Sequence, residues 1–194
     1  MKRRAFTLKE VAVLLAVMAA LIFILMPPGA FRGSARHNAR RSSCVSNLKQ
    51  IGLAFAQYNN DYDDKFPLVS RPEGWVGLLQ PYLKTERIFQ CPSEELRADN
   101  LTDYWFNRRL AGVESKRIAD VKLTILGGDG EPSDDPNVSL QLLPPRWIER
   151  EDSPIRRHLD TGNYLFADGH VKFYKPQKID AAESGEKTPT FSIR

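Results

Sequence analysis

RAFTLKEVAVLLAVMAALIFILM, residues 4–26, decides how the rest of the chain is read. From Val11 to Met26 sixteen consecutive residues carry no polar side chain. As a helix that run covers about 24 Å at ~1.5 Å per residue. Adding Phe6 to Glu10 brings it to about 31 Å, the thickness of a bilayer's hydrocarbon core. A helix of a soluble domain keeps a polar face, and this one has none beyond Glu10. Pro27 and Pro28 follow, where a helix bends or stops. The pattern predicts a membrane-spanning helix over 6–26. Lys9 and Glu10 lie inside it, and an acid in such a segment is a functional candidate because apolar surroundings penalise it until it meets a partner.

The other 171 or so residues read as an ordinary globular chain by the usual balance of apolar and charged side chains: of 194 residues, 42% are hydrophobic and 27% charged, which excludes wholesale disorder. Two Cys are too few for a disulfide scaffold or a four-thiolate zinc site. The formal net charge is +4, but Lys2, Arg3 and Arg4 account for three of those charges. The basicity belongs to the first five residues, so it is no footprint of nucleic acid, and no nucleic-acid partner is predicted. Arg32, Arg36, Arg40 and Arg41 flank the other end of the apolar run, so the positive-inside rule does not orient it. Arg32, Arg36 and Arg40 repeat at i, i+4, a stripe facing solvent or lipid headgroups, or acidic patches on a neighbouring subunit.

Arg4-Ala5-Phe6-Thr7-Leu8-Lys9-Glu10 before a long apolar run resembles the class III leader of type IV prepilins and type II secretion pseudopilins. The resemblance implies a leader over 1–5 that prepilin peptidase removes between Ala5 and Phe6. It further implies N-methylation of Phe6 and a docking role for Glu10 in filament assembly. The freed α-amine would lie four residues before Glu10, within reach of its carboxylate in the same or a neighbouring subunit. Where the family commonly has Gly before the cut, this chain has Ala5. A removed secretory signal is the competing reading, with Gly33-Ser34-Ala35 as its small-residue cleavage site and Arg36 as the new terminus.

Beyond the prolines the helical period returns. Cys44, Leu48, Ile51, Phe55, Tyr58 and Tyr62 are spaced 4, 3, 4, 3 and 4 apart, the apolar stripe of an amphipathic helix. Asn47, Lys49, Gln50, Gln57 and Asn59 are read as its polar face. Asp63 to Pro67 ends it, because the residue before proline avoids helical backbone. The expected fold is α+β and pilin-like: a long N-terminal helix packed on a small antiparallel sheet. Its parts are the 27–66 continuation of the helix, a 67–178 head and a flexible 179–194 tail.

The segment from Cys44 to Pro67, with Leu79-Gln80-Pro81-Tyr82-Leu83 and Ile88-Phe89-Gln90-Cys91-Pro92-Ser93, is similar to a large bacterial group of prepilin-like proteins. In an exported head Cys44 and Cys91 would be a disulfide; otherwise they are two buried thiols. A short helix is expected from about Trp75 to Leu83. Tyr104 to Asn107 and Val121 to Leu126 read as strands, and Gly127 to Pro136 as a loop. Asp129, Glu131, Asp134 and Asp135 in that loop are either solvated or ligands for calcium, which related major pseudopilins hold in a head-domain loop.

Two β-rich runs flank Asp168-Gly169, the signal of a hairpin closed by a type I′ turn. His158 precedes Asp168 with nine residues between them, a pattern that resembles the His-x9-Asp-Gly signature of the same group. His158, Asp168 and His170 together form a candidate metal set; alternatively Asp168 serves the turn, His158 bonds to the hairpin and His170 opens a strand. No catalytic motif appears, so no enzyme is predicted. The expectation is a structural subunit of a pilus-like or secretion pseudopilus filament, with prepilin peptidase, other pilin-like subunits and an inner-membrane assembly platform as partners. It would sit in the inner membrane with its head exported. The alternatives are a tethered exported binding module that does not polymerise, and an exported metal enzyme.

Overall fold

The computed structural model describes residues 7–25, 30–70, 72–94, 101–179 and 188–193. The chain is α+β, of a pilin-like kind, and divides into two compact units, Met1–His37 and Asn38–Arg194.

In the first unit helix α1 spans Leu8–Leu25. Thr7 starts it. The Thr7 N–H and hydroxyl both donate to the Glu10 carboxylate at 2.8 Å, and the Glu10 N–H faces the Thr7 hydroxyl oxygen at 3.4 Å. That is a capping box, which satisfies backbone donors left open at a helix start. Every residue from Thr7 to Phe23 is exposed. At ~1.5 Å per residue α1 measures about 27 Å. Among the described residues no helix is long and apolar enough to cross a membrane. Residues 1–6 and 26–29 lie outside the described residues, and with them the leader and the cleavage pair Ala5 and Phe6.

Helix α2 spans Ala30–Asp61. In the second unit its stripe is buried as the spacing predicts: Cys44, Leu48, Ile51, Phe55 and Tyr58 all point into the core. Tyr62 is the exception, half exposed and stacked on Tyr58 at 4.2 Å. The polar face also needs correcting. Asn59 is buried, and Asn47 turns inward to donate to the Gln90 carbonyl at 2.9 Å. Asp63 and Asp64, both with positive φ, break the helical path just after Asp61. The short helix α3 covers Gly74–Leu79, continued by a 3-10 turn to Tyr82.

The sheet comprises β1 (Thr102–Asn107), β2 (Ile125–Ser133), β3 (Ser139–Leu140), β4 (Gly162–Phe166) and β5 (Val171–Tyr174), in the order β3-β1-β2-β4-β5. It is mixed rather than purely antiparallel, because β3 lies parallel to the edge of β1. Alternation along the strands divides the core. Tyr104, Phe106, Leu126 and Leu165 face α2, where Phe55 stacks between Phe106 and Trp75. Trp105, Ile125, Tyr164 and Phe166 face the other way, onto Ile155, Phe191 and the Trp147 of α4 (Pro145–Glu149).

Two expectations fail here. The strand expected over Val121 to Leu126 begins only at Ile125, and the presumed loop from Gly127 is β2, a central strand paired on both edges. A β-carbon on Gly127 would meet the Trp105 carbonyl oxygen at 2.4 Å, so glycine here lets neighbouring strands approach closely rather than making a turn. The tail is also not wholly loose. The Thr190 N–H donates to the Leu123 carbonyl and the Ile125 N–H to the Thr190 carbonyl, both at 2.9 Å, while Phe191 is buried against Trp105. Apolar Phe191 supplies the burial that fixes residues 188–193.

Candidate functional site

Where α2, the loop after Phe89 and the base of β4 converge, Cys44 and Cys91 are joined as a disulfide with Cα atoms 5.3 Å apart. Both are fully buried. The Cys91 N–H donates to the buried Asp103 carboxylate at 2.6 Å, which pins the loop to β1. Against the sulphurs lies His158, buried, its Nε2 3.9 Å from the Cys91 Sγ. The same nitrogen is 3.5 Å from the Asp129 Oδ2.

A tight turn aims His158 inward. Leu159 and Asp160 both carry positive φ, an uncommon conformation for two successive non-glycine residues. The His158 N–H donates to the Thr161 carbonyl at 3.1 Å, and the Thr161 hydroxyl returns a bond to the His158 carbonyl at 2.6 Å. Asp129 comes from the middle of β2 and is fully buried. Its Oδ2 accepts from the Asn163 N–H at 2.8 Å and from the Asn163 side-chain amide at 3.0 Å, while its Oδ1 is buried without a partner. Burial pushes the Asp129 carboxyl up to about 6, against the lowering pull of the Arg157 guanidinium and the Asn163 hydrogen bonds. Arg157 is itself anchored, donating to the Gly130 carbonyl at 2.9 Å and pairing with Glu94 at 2.5 Å. Burial, with the Asp129 charge nearby, also raises the phenols of Tyr104 and Tyr164.

The two ends of the His-x9-Asp-Gly pattern are not brought together. They bracket β4, with His158 at its base and Asp168 at the hairpin tip. Asp168 accepts from the His170 N–H at 3.1 Å and pairs with the His170 ring at 2.5 Å, and that ring stacks on Phe166 at 4.3 Å. The hairpin forms, but its turn is not type I′. Gly169 alone has positive φ (85°), and its N–H donates to the Phe166 carbonyl at 2.8 Å. This is the pattern of a longer loop with a left-handed glycine after a type I-like turn. His158, Asp168 and His170 form no metal set: among the described residues, the one triad of potential ligands within 4.8 Å of each other is Cys44, Cys91 and His158.

The calcium candidates separate as well. Asp129 is buried in the sheet, and Glu131 takes Arg146 at 3.0 Å, Arg150 at 3.7 Å and the Trp147 indole N–H at 3.0 Å. Asp135 accepts from the Asn137 N–H at 2.8 Å, and Asp134 is exposed. Strand β2 extends Asp129 and Glu131, while Asp134 and Asp135 lie in the turn segment after it, so the four do not line one cation-binding loop. In the sequence Asp129 reads as a solvated residue or a calcium ligand, and nothing there marks Asn163 or Arg157 as its neighbours. Nothing in a Gly-rich acidic stretch signals a buried carboxylate.

The sequence profile of a family described as Protein of unknown function (DUF1559) matches residues 33–84, from α2 through the turn after α3. No curated protein and no solved structure matches the chain.

Proposed function

We propose that the chain is a subunit of a pilus-like or secretion pseudopilus filament. It is cut by prepilin peptidase between Ala5 and Phe6, held in the inner membrane with its head exported, and assembled through α1 with other pilin-like subunits on an inner-membrane platform. It has no catalytic role in this reading. The observation that carries it is α1. Val13, Leu14, Leu15, Val17, Ile22 and Phe23 are all more than half exposed, on every side of one helix. Such a surface needs lipid first and then the matching surfaces of other copies as it leaves the bilayer. The disulfide adds support, since disulfides persist in oxidising, exported compartments.

Glu10 has two roles in this reading, capping its own helix and meeting a neighbour's α-amine. They separate by substitution. Glu10→Gln keeps a side chain able to accept from the Thr7 N–H but loses the charge, whereas Glu10→Ala loses both. Both variants are expected in the membrane fraction at wild-type levels, and Glu10→Gln is expected to lose most filament yield. Wild-type filament yield from Glu10→Gln overturns the docking role. Terminal sequencing of the mature chain is expected to start at methylated Phe6, and a start at Arg36 overturns the reading altogether. Cysteines placed along α1 should crosslink between copies in cells; their failure to do so favours a tethered module that does not polymerise.

A further inference from the structure

We infer that, once its disulfide is reduced, the cluster of Cys44, Cys91 and His158 is a tetrahedral zinc site, with Asp129 as the fourth ligand. The donor set is right for zinc: two thiolates, one imidazole nitrogen and one carboxylate. In tetrahedral zinc, ligand distances of about 2.3 Å to sulphur and about 2.0–2.1 Å to nitrogen or oxygen put sulphur and nitrogen about 3.6 Å apart, and nitrogen and oxygen about 3.3 Å. Here the Cys91 Sγ and His158 Nε2 are 3.9 Å apart, and the His158 Nε2 and Asp129 Oδ2 are 3.5 Å apart. The two sulphurs must separate to about 3.8 Å across a tetrahedral edge, and the Asp129 carboxylate, which stands outside the triad whose ligand atoms lie within 4.8 Å of one another, must close on the sulphurs.

Two further observations single this place out. Asp129 is fully buried and its Oδ1 has no partner, an arrangement that needs an explanation in a folded core. The supporting contacts around the donors are already in place. Asn163 fixes the Asp129 carboxylate through two hydrogen bonds, the Leu159-Asp160 turn fixes His158, and Asp103 holds the Cys91 backbone. The three donors of the triad come from α2, the loop after Phe89 and the turn before β4. The disulfide clamps the first two of these segments after oxidation, and the metal would clamp all three while the thiols are reduced.

The chemistry balances. A dithiol supplies two electrons and two protons, closes its own disulfide, and leaves Cys44 and Cys91 as thiols. Zinc then binds both sulphurs as thiolates and releases their two protons to water.

The test is cobalt titration of the full chain in detergent, oxidised and after reduction by a dithiol that is then removed under anaerobic conditions. The reduced chain is expected to take one Co2+, with thiolate-to-metal charge-transfer absorption and the d–d bands of a tetrahedral site, and to exchange it for Zn2+. The oxidised chain is expected to take none. His158→Ala and Asp129→Asn should each weaken binding at least about tenfold. A reduced, folded chain without tetrahedral absorption overturns the site, as does undiminished affinity in His158→Ala. Should reduction unfold the head, Zn2+ must restore its circular dichroism, and failure to do so also overturns it. The oxidised-against-reduced comparison needs no substitution, so a variant that fails to fold leaves it decisive. The site stands apart from the filament reading, because metal uptake by the purified chain does not depend on assembly.

Discussion

Helix α2 and strand β2 both reach the buried cluster, Cys44 from one and Asp129 from the other, but opposite means hold them there. The helix fills its share of the core with its own bulk: Leu48, Ile51, Phe55 and Tyr58 are each nearly inaccessible. The strand has little bulk to offer. Gly127, Gly128 and Gly130 leave room that the neighbouring strands fill with Trp105 and Tyr164. One element is fixed by what it carries and the other by what it omits. Substitutions should therefore injure them in opposite directions, truncation on the helix and enlargement on the strand.

The largest effect is expected on β2. In Gly127→Val the new β-carbon falls 2.4 Å from the Trp105 carbonyl oxygen, a backbone atom that cannot step aside without moving β1. The cost exceeds about 3 kcal/mol, the upper end of ordinary overpacking. The head is expected to lose its cooperative unfolding transition in urea. Gly130→Ala sharpens the point. Its β-carbon meets the Trp105 ring edge at 3.1 Å, the Asp103 carbonyl at 3.4 Å and the Trp105 backbone nitrogen at 3.5 Å, contacts that yield by tenths of an ångström. A loss of about 1 kcal/mol is expected there. Equal losses at the two positions would mean that chain flexibility, not crowding, is what the glycines provide.

This contrast also explains what could be read in advance. The burial of Leu48, Ile51, Phe55 and Tyr58 was legible because a helix writes its core face into its own spacing. Strand β1 and the β4–β5 hairpin were legible because β-branched and aromatic residues mark them. Strand β2 was not, since the reason for its glycines lies in Trp105 and in Tyr164, well apart in sequence. The candidate site divides the same way. Cys44, Cys91 and His158 stood out as residue types with chemistry. That His158 meets Asp129, rather than Asp168, depends on β4 carrying Asp168 to the far end of a strand.

On the helix the effect should be of middle size and should follow burial. Leu48→Ala removes a side chain that is 1% exposed and leaves a cavity beside the disulfide. A loss of about 3 kcal/mol is expected, read as a lower urea midpoint with the slope unchanged. Leu53, 64% exposed on the opposite face, should tolerate alanine to within about 0.5 kcal/mol. A Leu53→Ala loss as large as that of Leu48→Ala would mean that the exposed face of α2 is covered in solution.

The smallest effect lies where α2 ends and bulk no longer holds it. Asp61, its last residue, accepts a hydrogen bond from the Tyr82 hydroxyl at 2.8 Å. That bond favours the neutral phenol and pushes the Tyr82 hydroxyl up to about 12, with lesser help from burial and from the Asp61 charge. An unfolded tyrosine ionises near 10. The contact therefore stabilises the fold below pH ~10 and is lost as pH rises through about 12. In an absorbance titration of wild type against Asp61→Ala, one tyrosine should ionise earlier in the variant, between those two values. Stability at neutral pH should barely change, because the pair is open to water and screened. Coincident titration curves would show that the end of α2 is held by the Tyr58–Tyr62 stack and not by this bond, which would make even the helix's last turn a matter of bulk.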